Sequence, residues 1–89
     1  MNAAPTSAER LKALTVCGDS DRLRAAIHEL CAEFGKVRNI DIMTVLEAGK
    51  RRALCFLRLD SEAQEIELMR TLGVSRFGNE VLVVVDLPD

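Results

Sequence analysis

The chain has 89 residues, 48% of them hydrophobic and 29% charged, with 12 Lys and Arg against 14 Asp and Glu for a net charge of -2. That length builds one hydrophobic core, and the negative balance offers a nucleic acid no bulk attraction, so any such binding has to come from a local patch. No window reaches the roughly 18 apolar residues of a membrane span, and the first residues lack a basic segment followed by an apolar one, so the expected setting is cytoplasmic or nuclear, with no membrane partner.

Residues 1–12, "MNAAPTSAERLK", read as a flexible tail in which Thr6 or Ser7 caps one helical turn through Glu9 and Arg10. The domain proper is expected over residues 13–87. "ALTVCG" alternates Leu14 and Val16 against Thr15 and Cys17, the pattern of a short strand closed by Gly18. "DSD", Asp19 to Asp21, supplies an N-cap and negative charge for the start of a helix. Leu23, Ile27, Leu30, Cys31 and Phe34 then share one helical face, and Gly35 is expected to end the helix in the left-handed C′ conformation.

Ile40 and Ile42 alternate with Asn39, Asp41 and Met43 as a second strand, and "EAGKRR" turns the chain at Gly49. "RALCFLRL" is a third strand, with Ala53, Cys55, Leu57 and Leu59 on one face and Arg52, Leu54, Phe56 and Arg58 on the other. Ser61 and Gln64 stand at capping-box spacing before a helix whose apolar arc is read as Ile66, Met69 and Leu72, widened by Leu68 and stopped by Gly73. "FGN", Phe77 to Asn79, turns into a last strand, "EVLVVVDL", closed by Pro88. The expected fold is α+β: a βαββαβ ferredoxin-like arrangement, with a four-stranded antiparallel sheet carrying both helices on one face.

Over roughly residues 13–87 the chain resembles an RNA recognition motif, through "FGKVRNIDI" after the first helix, "RRALCFLRL" and "FGNEVLVV". That family stacks bases on aromatics of an octapeptide, K/R-G-F/Y-G/A-F-V-x-F/Y, on the third strand. On this sequence Arg52 matches the basic position, Ala53 the small one and Phe56 the second stacking aromatic, while Leu54 stands at the first and Cys55 at the second small position. The partner hexapeptide falls on "LTVCGD", with Thr15 at its stacking position. The resemblance implies weak single-stranded RNA binding through Phe56, with Leu54 as an apolar shelf, Thr15 beside them, and Lys50, Arg51, Arg52 and Arg58 meeting phosphates.

The outward residues also make a half-apolar face. Leu54, Phe56, Leu82 and Val84 form a patch that a soluble domain seldom leaves uncovered. A protein-interaction module is therefore the alternative, whether by peptide capture or as a homodimer, with Leu82, Val84, Met43, Phe77 and Arg76 as its contacts. "ELCAEFGKV" and "RFGNEV" resemble the splicing-factor variant of the motif that captures a peptide beside an Arg-x-Phe loop. Phe77 matches the loop aromatic, whereas Ser75 stands at the arginine position and Arg76 one place later. No catalytic, metal or cofactor site is expected, because His28 stands alone and Cys17, Cys31 and Cys55 are dispersed without a paired spacing. The three cysteines read as reduced and mostly buried.

Overall fold

Ala, Glu, Arg, Leu and Lys are strong helix formers, and in "SAERLKA" they make a helix rather than a single turn. The computed structural model describes residues 7–87, and of the stretch read as a tail residues 1–6 lie outside it, as does Pro88. Helix α1 is Ser7–Ala13, and it passes directly into a 3₁₀ turn at Leu14–Val16. Helix α2 is Ser20–Cys31, followed by strands β1 (Val37–Glu47) and β2 (Lys50–Leu59). Helix α3 (Glu62–Leu72), strand β3 (Ser75–Phe77) and strand β4 (Glu80–Asp86) complete the order.

The chain is thus α+β, with a four-stranded antiparallel sheet and three helices. The sequence expectation needs one substantial correction. The first strand expected at "ALTVCG" is absent: its residues are the end of α1, the 3₁₀ turn and a short extended link. Local helix propensity carries through Ala13, and the Thr15 hydroxyl donates back to the Lys12 carbonyl at 2.7 Å, a local bond that competes with strand pairing. The element order is accordingly not βαββαβ.

The place beside β2 is taken by β4. Sheet order is β1-β2-β4-β3, and Leu54 faces Val84 while Phe56 faces Leu82 across the central pair. Val81, Val83 and Val85 bury a full face of β4 against the helices, whereas Thr15, Cys17 and Gly18 offer little to bury there. Both β2 and β3 run antiparallel to β4, so α3 carries the chain from β2 to a parallel strand with β4 between them.

The core lies on one side of the sheet. Ala53, Cys55, Leu57 and Leu59 of β2 and Val81, Val83 and Val85 of β4 pack with Leu23, Ile27 and Cys31 of α2 and Leu68 and Leu72 of α3. Asp19 caps α2 by accepting the Arg22 amide at 2.8 Å, and Ser61 caps α3 by accepting the Gln64 amide at 3.2 Å. The apolar arc of α3 is rotated from the expected one: Glu65, Leu68 and Leu72 are buried and Ile66 is half exposed. Gly73 ends α3 with φ 69°, as expected, but Gly35 has φ 159°, far from the left-handed helical value. What Gly35 provides is room, because a Cβ there would fall on the Gln64 amide. The β1–β2 hairpin turns on Ala48 and Gly49, both with positive φ (53° and 79°), the type I′ pattern.

Candidate nucleic-acid interface

Strand alternation separates two faces of the sheet. Arg52, Leu54, Phe56 and Arg58 occupy the face of β2 away from the helices, and the register places Val45, Met43, Asp41 and Asn39 of β1 opposite them. From β4 come Leu82, Val84 and Asp86, opposite Phe56, Leu54 and Arg52. Phe77 of β3 lies across from Glu80 and reaches Phe56, with ring centroids 5.8 Å apart and planes at 62°, an edge-to-face pair. Phe77 is 63% exposed and Phe56 partly so. Two of the chain's three phenylalanines, in a sequence without Trp or Tyr, therefore meet on the face turned away from α2 and α3, where Leu11 of α1 borders Leu82 and Val84.

The charged groups around them are largely engaged. The Arg52 Nε donates to Asp86 at 3.0 Å, and its Nη1 lies 3.7 Å from Glu47. The Arg58 Nε donates to Glu65 at 3.1 Å, and the Arg76 guanidinium lies 3.6 Å from the other oxygen of that carboxylate. Glu65 is the buried charged residue of the described chain, its side chain 2% exposed, and it also accepts the Leu59 amide at 3.0 Å. One carboxylate thus ties the end of β2 to β3, and Arg58 and Arg76 are drawn toward it.

Of the residues expected to meet RNA, Leu54, Phe56, Arg52 and Arg58 share the open face. Lys50, at the hairpin entrance, follows the same alternation and is exposed. Arg51 does not join them: it lies on the helix side, lining a cavity of about 270 Å³ with Asp19, Ser20 and Ile42. Thr15 is also elsewhere, in the 3₁₀ turn near Asp86 and Leu87. The position expected for Thr15 beside β2 is filled by Leu82 and Val84, so the ring of Phe56 has apolar neighbours where a polar one was anticipated.

Of the residues expected for a protein partner, Met43, Leu82, Val84 and Phe77 share this face, while Arg76 turns toward Glu65. Compared with family models, with curated proteins and with solved structures, the chain matches none.

The pairing of Phe56 with Phe77 was not foreseen, and the available signal was the odd spacing of "SRFGNE": Phe77 and Glu80 flank the tight Gly78–Asn79 turn, which folds the ring back across β4. Glu65 was also missed as a site residue. Burial pushes the thiols of Cys31 and Cys55 up to about 11, so both are neutral, unreactive core groups at ordinary pH. Among the described residues no His, Cys, Asp and Glu group is arranged to hold a metal, and no helix is long and apolar enough to cross a membrane.

Proposed function

We propose that this α+β domain, whose sequence resembles an RNA recognition motif, binds single-stranded RNA weakly through the face of its sheet turned away from α2 and α3. The observation that carries the reading is the Phe56–Phe77 pair, two rings presented together on the face turned away from α2 and α3. Bases stack on such rings irrespective of sequence, at about 1–3 kcal/mol per base. Leu54 and Leu82 border the rings as apolar shelves, and Lys50 supplies a cation at the hairpin end. Arg52 and Arg58 are held by carboxylates, so stacking contributes more to affinity than phosphate neutralisation does. Binding by this route has a shallow salt dependence, near -0.7 in log K per phosphate contact.

The test is titration of a labelled single-stranded RNA at low salt. Phe56→Ala and Phe77→Ala are each expected to weaken binding roughly 5- to 150-fold, the range set by one lost stacking contact. Absence of binding, or indifference to both substitutions, overturns the proposal.

The protein-interaction reading is favoured by a separate observation: Met43, Val84 and Phe77 are each at least half exposed on the same face. Contiguous apolar surface of this kind usually has a partner. Val84→Lys separates the two readings, because it abolishes an apolar protein contact and adds a cation that RNA tolerates.

A further inference from the structure

The two edges of the sheet differ. One side of β4 carries β3 over Ser75–Phe77, and the 3₁₀ turn approaches the end of β4 through Thr15 and Val16. The other edge is β1, an eleven-residue strand of which all but Arg38 pair with β2 on one side, with no strand on the other among the described residues. Long open edges are usually blunted by proline, lysine or a bulge. Here the only irregularity is at Arg38, and residues 39–47 pair regularly with β2 and contain neither proline nor lysine. Arg24 donates to the Ile40 carbonyl at 3.0 Å, which leaves that oxygen one lone pair for an added strand.

We propose that this edge pairs with the same edge of a second copy of the chain, antiparallel about a two-fold axis at Met43, giving a continuous eight-stranded sheet. The charge distribution along β1 selects an antiparallel copy. Its one cation, Arg38, lies near the start and Glu47 at the end, so antiparallel pairing brings each Arg38 toward the partner's Glu47. Side chains must also keep their faces, which restricts the register to even offsets. With the axis at Met43, Met43 meets its own copy, Ile42 meets Thr44, Ile40 meets Leu46, Asp41 meets Val45 and Asn39 meets Glu47. No like charges oppose one another. Moving the axis to Thr44 sets Asp41 against Glu47, a repulsive pair. In the Met43 register the exposed Leu46 gains an apolar neighbour on the helix side, and both faces turned away from α2 and α3 lie on the same side of the joined sheet.

Met43 is 54% exposed, so charged substitutions there leave the core intact. The experiment is sedimentation equilibrium over a wide concentration range on the wild type, Met43→Lys, Met43→Glu, an equimolar mixture of those two variants, and Val84→Lys. The wild type is expected to show twice the chain mass at high concentration. Each Met43 variant alone is expected to dissociate about tenfold or more readily, because like charges face each other at the axis. The mixture recovers dimer, and Val84→Lys, remote from the edge, leaves the association unchanged. Amide exchange across residues 41–47 slows as concentration rises. A monomer at all concentrations, a dimer indifferent to the Met43 variants, a mixture that fails to recover, or a dimer lost in Val84→Lys overturns the proposal. None of these outcomes depends on RNA binding.

Discussion

Glu65→Ala removes the one buried carboxylate from the junction of β2, α3 and β3. Three partners lose an acceptor: the Leu59 amide at 3.0 Å, the Arg58 Nε at 3.1 Å and the Arg76 guanidinium at 3.6 Å. They do not lose equally. Arg58 and Arg76 have side chains 42% and 32% exposed, so water replaces the carboxylate and each contributes well under about 1 kcal/mol. The Leu59 amide belongs to a buried residue, and leaving such a donor unpaired costs about 1–3 kcal/mol. Lost packing adds to it, for an expected total of about 2–4 kcal/mol.

For a domain of this size the total stability is only about 4–13 kcal/mol, so the change is large. Each kcal/mol shifts Tm by about 4–8 °C, which places the expected fall between about 8 and 32 °C. Glu65→Gln keeps an oxygen for the Leu59 amide and is expected to cost less than half as much. The chain has no Trp or Tyr, so urea unfolding is followed by far-ultraviolet circular dichroism. A loss below about 0.5 kcal/mol in Glu65→Ala, the range of an ordinary surface substitution, refutes the assignment of Glu65 as the tie between these strands.

Ala48 adopts φ 53° in the hairpin turn, a conformation that costs a residue with a Cβ about 1–2 kcal/mol, so Ala48→Asn or Ala48→Gly is expected to raise the urea midpoint by up to about 1 kcal/mol in stability. Cys31 and Cys55 are fully buried, with pKa values raised from 9.0 to about 11, so the unfolded thiols ionise first. Stability from these groups is intact below pH 9 and falls as pH rises from 9 toward 11, which unfolding series across that window measure. In the native state Cys17 is the thiol expected to react with an alkylating reagent, and Cys31 and Cys55 are labelled only on unfolding, as mass spectrometry of labelled peptides reads out.

Alternation along the strands was legible in the sequence because period 2 is enforced by burial. Ala53, Cys55, Leu57 and Leu59 face the core, and Arg52, Leu54, Phe56 and Arg58 face away, as the pattern requires. Caps at Asp19 and Ser61 and the stop at Gly73 were equally local and equally readable. The face of α3 was misread because an apolar count overlooks a buried carboxylate. Glu65, Leu68 and Leu72 stand at i, i+3 and i+7, but only a partner from another element stabilises Glu65 inside, and Arg58 and Arg76 come from β2 and β3. Tertiary pairing of that kind leaves no local signature.

Strand order was the other loss, and it bears on the site. "LTVCG" and "VLVVV" both read as strands, and a four-stranded sheet has one vacancy beside β2. Periodicity alone cannot rank two candidates for one place. Area can: Val81, Val83 and Val85 bury one face of β4 and Leu82 and Val84 extend the opposite face, against Leu14 and Val16 on one face and Thr15 and Cys17 on the other for the alternative. The stronger apolar strand occupies the centre, and the weaker segment stays with the helix that precedes it. Phe56 consequently lies between Asp41 on one flank and Leu82 on the other, with Phe77 at its edge. A ring in that setting offers stacking and apolar contact in place of hydrogen bonds, so a ligand on this face is selected by flat or greasy surface more than by base identity.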